Sequence, residues 1–188
     1  MKIISKLEFN TNKDGYISLI KSGAIFIYPT DTIYGIGCNA LLNGKVKKIR
    51  DIKLNPSSPF SIIVPSKEWI YENCIVTDES EEYIKQLPGP YTLILPLKDP
   101  QMLSDEICGE TVGIRIPDHW ITDLVSELGY PIITTSVNEK GRQFMTSIET
   151  LDKTIEKQVD LIIEEGEIRG KPSRIIRFDT PTSTVVRD

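Results

Sequence analysis

A group of hydroxyls, one carboxylate and one glycine follows an apolar run near residue 30 and could line a ligand pocket. Residues 24–27 are apolar, and Tyr28-Pro29-Thr30-Asp31-Thr32-Ile33-Tyr34-Gly35 follows directly. Threonine hydroxyls and an aspartate can orient a polar ligand, while glycine lets the backbone approach that ligand closely. The same residue types also form ordinary turns. This segment alone therefore indicates either the wall of a pocket or a strand-to-turn exit.

Two further segments place polar side chains at the ends of apolar strands. Arg115 stands near the end of Thr111-Val112-Gly113-Ile114-Arg115-Ile116, and Ser136 and Asn138 follow Ile132-Ile133-Thr134-Thr135. An arginine at such a position forms either a structural ion pair or a bidentate contact to a carboxylate or phosphate. Because the pattern recurs on more than one strand, it favours a shared pocket over isolated turns.

The sequence lacks the residue patterns of several common catalytic classes. There is no GxxxxGK[ST] phosphate loop, and Gly35-Ile36-Gly37 lacks the third glycine of a dinucleotide fingerprint. His119 is the single histidine, and its place near a predicted helix start favours capping or packing over a role as catalytic base. Cys38, Cys74 and Cys108 form no CxxC pair, which predicts reduced thiols rather than a disulfide framework or a zinc site. We therefore assign no residue as nucleophile, acid, base or metal ligand.

Composition predicts an ordinary globular protein of the cytoplasm. The 188 residues are 39% hydrophobic and 26% charged, and their apolar runs predict neither a membrane span nor a signal peptide. The net charge of −5 argues against a protein that coats nucleic acid through bulk electrostatics. One basic segment stands apart, with an apolar helical stripe between its cations Lys45, Lys47, Lys48, Arg50 and Lys53. It predicts a helix whose outer face is either simply solvated or binds anions.

Helices and strands alternate along the chain, which predicts an α/β (α+β) fold. We predict strands at about 24–28, 60–64, 91–97, 111–116, 132–135, 161–163, 174–178 and 184–187, and helices at about 12–21, 44–53, from 66, 79–87, 119–128 and 147–157. The expected architecture is a single domain over residues 1–188. It contains one large, twisted mixed sheet flanked by helices, with a concave, partly basic face. Polar loops gathered at strand ends would then form the site.

Taken in order, these segments resemble the Sua5/YrdC/TsaC family of L-threonylcarbamoyladenylate synthases. The resemblance spans about residues 12–187 and is carried by Pro29-Thr30-Asp31-Thr32-x-Tyr34-Gly35, a basic helix ending in Lys53, Pro88-Gly89-Pro90-x-Thr92, Val112-x-x-Arg115-x-Pro117-x-His119, Ser136-x-Asn138 and Pro172-Ser173. It implies a YrdC-like domain that makes threonylcarbamoyl-AMP and pyrophosphate from ATP, L-threonine and bicarbonate. That reaction is the first step toward the N6-threonylcarbamoyl modification (t6A) of tRNA adenosine 37.

The resemblance also implies roles for individual residues. The threonine site would be formed by Thr32, Arg115, Ser136 and Ser173. The ATP site would be formed by Lys53, Asn55, Ser58, Thr111, Asn138, Thr146 and Arg187. ATP would be a substrate that brings Mg²⁺ held mostly by its phosphate oxygens, with no tightly bound cofactor. Possible further partners are tRNA or double-stranded RNA, contacted by Lys45, Lys47, Lys48 and Arg50, and other t6A-pathway proteins; no membrane is implied.

The chain departs from the family pattern on the segment expected to bind phosphate. Members commonly have Lys-x-Arg-Pro there, and this chain has Lys53-Leu54-Asn55-Pro56. An amide in place of a phosphate-binding cation would cost about 1.5–3 kcal/mol of interaction. The alternative is therefore a catalytically altered paralogue that binds nucleotide or double-stranded RNA. A related domain of hydrogenase-maturation carbamoyltransferases is disfavoured by the chain length and the absence of zinc-finger cysteines.

Overall fold

The computed structural model describes residues 1–107, 109–180 and 182–188, so Cys108 lies outside the described residues. Seven α-helices, ten strands and two 3₁₀ turns form within these ranges. In chain order they are β1 (Lys2–Ser5), α1 (Lys6–Thr11), α2 (Lys13–Lys21), β2 (Phe26–Tyr28), β3 (Gly35–Gly37), α3 (Asn43–Ile52), β4 (Ser61–Ile63), α4 (Lys67–Asn73), α5 (Asp78–Lys85), β5 (Tyr91–Pro96), the turn Pro100–Met102, β6 (Thr111–Arg115), α6 (Ile121–Leu128), β7 (Ile132–Ser136), the turn Ile148–Thr150, α7 (Lys153–Glu156), β8 (Leu161–Glu164), β9 (Arg174–Arg177) and β10 (Thr184–Arg187). No helix in the described part of the chain has the length and apolar character needed to cross a membrane.

All ten of these strands join one mixed sheet, as the alternation of elements predicts. Their order is β1-β8-β2-β3-β7-β4-β6-β5-β9-β10. The pairs β1/β8, β2/β8, β4/β6 and β5/β9 are parallel, and the remaining neighbours are antiparallel. The strands that end in polar side chains, β7 and β6, lie on either side of β4 near the middle of the sheet. This order brings together residues that are far apart in the sequence.

Side chains of the inner strands alternate between two hydrophobic clusters, one on each face of the sheet. Ile62 and Ile133 belong to a cluster that also contains buried residues of α3, α4, α5 and α7. Their neighbours Ile63 and Ile132 belong to a second cluster, which contains buried residues of α1, α2 and α6. Strands buried on both faces are nearly continuously apolar, which matches the runs seen in the sequence. Helices therefore flank the sheet on both sides, which confirms the predicted fold class.

Several elements differ from the sequence prediction. β1 and α1 precede the first predicted helix, which is confirmed as α2. The helix predicted over 147–157 is wrong as a single element, because it divides into the Ile148–Thr150 turn and α7. Asp152 caps α7 by accepting a hydrogen bond from the backbone N–H of Thr154 at 2.7 Å, so a new helix begins there.

A short strand, β3, forms in a stretch where no strand was predicted. It is antiparallel to both β2 and β7 and so lies between them. A Cβ on Gly37 would lie 2.0 Å from the backbone oxygen of Ile133, so only glycine allows this close approach to β7. The strand thereby fixes the preceding loop, residues 29–34, beside the central strands.

Candidate functional site

A cavity of about 350 Å³ opens over the central strands of the sheet. It is lined by side chains or backbone from β3, β4, β5, β6, β7, β9 and β10. Its polar lining includes two arginines, Arg115 and Arg187, and the hydroxyl-bearing residues Tyr34, Ser61, Thr92, Thr134, Thr135, Ser136 and Ser173. A concave site with several hydroxyls and two guanidinium groups suits a small polar anion.

The loop between β2 and β3 forms a turn and also supports the site. Thr30 Oγ1 donates to the backbone oxygen of Ile33 at 2.7 Å and accepts from the backbone N–H of Thr32 at 3.2 Å. The side chains of Asp31 and Thr32 then reach Arg115, whose Nη2 donates to Asp31 Oδ1 at 2.7 Å and to Thr32 Oγ1 at 3.1 Å. Thr30 thus builds the turn, while Asp31 and Thr32 hold the arginine.

Arg115 is buried but only partly satisfied by protein groups. Its residue is 6% exposed, and its Nε has no hydrogen-bond partner among the described residues. Burial lowers the pKa of Arg115, and the charge of the Asp31 carboxylate opposes that change. A buried donor without an acceptor costs about 1–3 kcal/mol, so a ligand oxygen at this position would be stabilising.

Arg187 brings a second positive charge to the same cavity. Its Nε and Nη2 donate to the backbone oxygen of Ser173 at 2.9 and 2.7 Å, and Ser173 Oγ lies 2.6 Å from Thr92 Oγ1. Burial lowers the pKa of Arg187, and the positive charge of Arg115 lowers it further. Because two like charges disfavour one another here, an anion that contacts both guanidinium groups would relieve the repulsion.

Lys53 shapes the turn that follows β7. Its Nζ donates to the backbone oxygens of Ser136 and Asn138, the latter at 2.9 Å, and to Asn138 Oδ1 at 3.2 Å. Ser136 Oγ donates to the same Asn138 Oδ1 at 2.5 Å. Burial lowers the pKa of Lys53 to about 8, so its ammonium form still predominates at pH 7. With three acceptors around its three N–H groups, Lys53 positions Ser136 and Asn138.

Hydrogen bonds within the protein fix the segment around Asn55. Asn55 is 7% exposed, and its Oδ1 accepts from the backbone N–H of Ser58 at 3.1 Å. Arg50 Nη1 donates to the backbone oxygens of Asn55 and Ser58, and its Nε pairs with Glu106 at 3.0 Å. The guanidinium also lies 4.6 Å from the ring centre of Phe60. Arg50, predicted as an RNA contact, is therefore engaged inside the protein and holds this segment in place.

Other predicted residues lie away from the cavity lining. Thr111 is at the opposite end of β6 from Arg115, where it pairs with Pro96 of β5. The backbone N–H of Thr146 donates to Thr150 Oγ1 at 2.9 Å. On α3, Lys47 and Lys48 are exposed and Lys45 is half-buried. Of the residues implied by the resemblance, the cavity thus brings together Arg115, Ser136, Ser173 and Arg187, with Thr32, Lys53 and Asn138 directly behind them.

Several contributors to the site were not assigned from the sequence. Among them are Thr92, Thr134 and Thr135 of the lining, and also Ser61, Asp31 and Lys140. Ser61 starts β4 and lines the cavity floor, where a Cβ on the neighbouring Gly113 would lie 2.6 Å from Ser61 Oγ. Asp31 pairs with Arg115 across 84 residues, and Lys140 reaches Ser58. Only the alternation around β4 could have indicated Ser61; the other two contacts depend on strand order. In the described part of the chain, no group of three or more His, Cys, Asp or Glu side chains is arranged to hold a metal ion.

The loop between β8 and β9, residues 165–173, lies against the β2–β3 loop. Tyr34 OH donates to the backbone oxygen of Gly166 at 2.8 Å and accepts from the backbone N–H of Glu165 at 2.9 Å. The Glu165 carboxylate accepts from Trp120 Nε1 at 2.6 Å and lies 3.0 Å from His119 Nε2. These contacts fasten the loop that carries Ser173 into the cavity.

Comparison with known proteins identifies one family. The family model Sua5/YciO/YrdC, described as telomere recombination, matches residues 18–188. A relative from Methanocaldococcus jannaschii, whose name assigns it threonylcarbamoyl-AMP synthase only provisionally, is 37% identical over 173 residues, which cover 90% of this chain and 81% of the relative. The Escherichia coli protein YciO, whose name states no function, is 30% identical over 178 residues, which cover 92% of this chain and 86% of YciO.

A solved structure supports the same grouping. Pyrococcus abyssi Sua5 complexed with L-threonine superposes on this chain with a TM-score of 0.87 at 30% identity. The superposition covers 100% of this chain and 57% of that one, so the chain spans a little over half of the archaeal protein. The central sheet therefore has a counterpart in a protein whose structure was solved with L-threonine.

Proposed function

Because this chain belongs to the Sua5/YciO/YrdC family, we propose that it is a threonylcarbamoyl-AMP synthase. It converts ATP, L-threonine and bicarbonate into threonylcarbamoyl-AMP, pyrophosphate and water, and so acts as a nucleotidyltransferase. The observation that carries the proposal is the hydroxyl-rich cavity with two converging arginines. The name of the Methanocaldococcus jannaschii relative and the L-threonine bound to Pyrococcus abyssi Sua5 support the same activity and substrate. The reaction serves t6A formation on tRNA in the cytoplasm.

L-Threonine binds with its carboxylate at Arg115. The unpartnered Nε of that arginine supplies one donor, and a carboxylate oxygen would satisfy it. The hydroxyls of Ser136 and Ser173 line the same cavity and orient the remaining polar groups of the amino acid. Thr32 contributes indirectly, because its hydroxyl accepts a hydrogen bond from Arg115 Nη2 and so helps to position the arginine.

ATP binds beside the amino acid and brings Mg²⁺ with its phosphates. Arg187 provides a cation within the cavity, while Lys53 orders the turn that presents Asn138. Asn55 orders the segment that presents Ser58. The proposed contacts of Thr111 and Thr146 lie outside the cavity lining, so they require the nucleotide to extend beyond it.

The chemistry needs positioning and charge stabilisation more than a protein nucleophile. The threonine amine and bicarbonate form a carbamate with loss of water, and a carbamate oxygen then attacks the α-phosphorus of ATP. The bond from that phosphorus to the bridging oxygen breaks, and pyrophosphate leaves. Cations around the cavity offset the charge that develops on the phosphates, and the hydroxyls align the reacting groups.

The direct test is pyrophosphate release by the purified protein with Mg²⁺, ATP and bicarbonate, with and without L-threonine. The proposal expects release that depends on L-threonine and falls sharply in Arg115→Ala. L-Serine, which lacks the methyl group of threonine, and L-valine, which lacks its hydroxyl, serve as the comparison amino acids. Release that is unchanged when L-threonine is omitted would refute the proposed activity.

A second candidate is a catalytically altered paralogue that binds double-stranded RNA. It is favoured by the exposed Lys47 and Lys48 on α3 and by the inward-turned amide of Asn55. RNA affinity measured across a salt series separates the two functions, because phosphate contacts produce a steep dependence on salt. This candidate expects a slope that flattens in a Lys47→Ala/Lys48→Ala variant. Absence of binding at low salt would remove it.

A further inference from the structure

We propose that Lys140 is a phosphate-binding residue that holds the polyphosphate of ATP at the rim of the cavity. The inference rests on the proposed function, because it assigns a substrate contact to the same site. It concerns a lysine in the turn after β7, outside the residues that the resemblance implies. The chemical class of its ligand is a nucleoside triphosphate bound through its β- and γ-phosphate oxygens.

The cations around the cavity differ in how far the protein already satisfies them. The Arg115 guanidinium is paired with the Asp31 carboxylate. Lys53 Nζ is surrounded by three acceptors, and Arg187 donates three hydrogen bonds to Ser173. The side-chain amine of Lys140 contacts Ser58 Oγ at 2.9 Å, which is a neutral hydroxyl, and Lys140 itself is exposed. Its positive charge therefore remains available to an anionic ligand.

Backbone contacts hold Lys140 at the rim. Its N–H donates to the backbone oxygen of Lys53 at 2.9 Å, which joins the turn after β7 to the end of α3. Ser58, the hydroxyl partner, directly precedes Pro59 of the cavity lining, and its own N–H is fixed by Asn55. The ammonium group thus lies beside the segment that contributes Pro59 to the cavity lining.

The position of Lys140 fits phosphate better than the amino-acid carboxylate. Arg115 pairs in register with Ile63 at the end of β4, whereas Ser58 precedes the first residue of that strand. The two cations therefore lie toward opposite ends of β4. A ligand anchored by its carboxylate at Arg115 leaves Lys140 for a second, more highly charged group. The inward-turned amide of Asn55 offers no positive charge there, so Lys140 supplies it.

Binding of defined ligands to Lys140→Ala tests the inference. We expect the affinity for Mg·ATP to fall roughly 10-fold, because the variant loses one charge-assisted hydrogen bond to phosphate. The affinities for adenosine and for L-threonine should remain unchanged. Lys140→Arg should retain Mg·ATP binding. Lys157→Ala, which removes an exposed lysine at the end of α7, is the matched control and should change nothing. The Mg·ATP affinity of the wild type should also depend more steeply on salt than that of Lys140→Ala.

The outcomes separate this inference from the proposed function. Equal Mg·ATP affinity in wild type and Lys140→Ala would overturn the role of Lys140 and leave the synthase proposal standing. A parallel loss of adenosine and L-threonine binding in Lys140→Ala would also overturn it, since the residue would then be structural. If the wild type itself bound no Mg·ATP, both would fall.

Discussion

Arg115 combines two duties that are usually separate, because it forms an internal ion pair and also faces a ligand cavity. Its Nη2 is 2.7 Å from Asp31 Oδ1, and the two side chains are 7% and 9% exposed. Asp31 Oδ2 accepts from the backbone N–H of Asp118 at 3.1 Å, so the carboxylate is itself held in place. A buried charge whose partner is removed is strongly destabilising. Asp31 is therefore a positioning residue for the arginine.

We expect Asp31→Asn to lower the free energy of unfolding of the ligand-free protein by about 3 kcal/mol, because Arg115 loses its counter-charge. Urea unfolding followed by circular dichroism measures this change. Glu156→Gln is the matched control, since it removes the carboxylate partner of the exposed Lys153 at 2.6 Å. That control should cost less than about 1 kcal/mol. Similar, small costs for the two variants would contradict the role given to Asp31.

The lowered pKa of the buried Lys53 should make the free energy of unfolding depend on pH. Burial lowers its pKa in the folded protein from 10.5 to about 8. Between these values the unfolded chain binds the proton and the folded protein does not, so stability rises with pH in this window. Relative to Lys53→Met, the wild type should gain up to about 3 kcal/mol between pH 8 and 10.5. Burial raises the pKa of Cys38 to about 12, which makes stability fall with pH. Comparing the wild type with Lys53→Met removes this opposing contribution, because Cys38 is present in both proteins. A difference that is flat or falls with pH would refute the expected shift.

Among the loops, the contact between residues 165–173 and the β2–β3 loop matters most for the site. Gly170 lies so close to Thr32 that a Cβ there would be 1.7 Å from the Thr32 backbone oxygen. Tyr34 and Glu165 fasten the same loop at its other end. These contacts fix the loop that carries Thr32 relative to the loop that carries Ser173. Only a residue without a side chain permits this approach.

We expect Gly170→Ala to push these two loops apart and to lower L-threonine affinity at least about 10-fold, because Thr32 and Arg115 lose their alignment. Calorimetric titration with L-threonine measures the effect, and circular dichroism checks that the variant is folded. Gly44→Ala on α3 is the control, since a Cβ there meets nothing within 4 Å. That change should leave binding unaffected and slightly raise stability. Wild-type affinity in Gly170→Ala would contradict the importance of the contact.

The strands and helices with a clear apolar period were predictable, and the contacts between them were not. The runs that became β5, β6 and β7 are long and apolar, and α3 has buried residues at helical spacing. β3 was missed because Gly35-Ile36-Gly37 is short and lacks β-favouring side chains on either side of one isoleucine. Likewise, the sequence indicated that Arg115 binds an anion or forms an ion pair. The structure contains the ion pair with Asp31, and Arg115 Nε has no partner among the described residues.

For the whole molecule, strand order explains why the site forms at all. β7 lies between β3 and β4, and β6 follows β4, so the loop after β2, the end of β7 and Arg115 of β6 line one cavity over the central strands. Because β6 runs parallel and β7 antiparallel to β4, the ends of β6 and β7 approach this cavity from opposite ends of β4. The net charge is −5, yet the cavity is lined by two arginines. A local cationic region within an acidic protein would attract anionic substrates. That local charge is what the proposed synthase needs for ATP and for the threonine carboxylate.

The central claim is that this cavity joins threonine, bicarbonate and ATP into one adenylate. Mass spectrometry of a reaction with ¹³C-bicarbonate, L-threonine and Mg·ATP tests it most directly, with Arg115→Ala as the control. We predict threonylcarbamoyl-AMP that carries the ¹³C label, in an amount equal to the pyrophosphate released, and little product from the variant. Absence of labelled threonylcarbamoyl-AMP from folded wild-type protein that binds both ATP and L-threonine would contradict the claim.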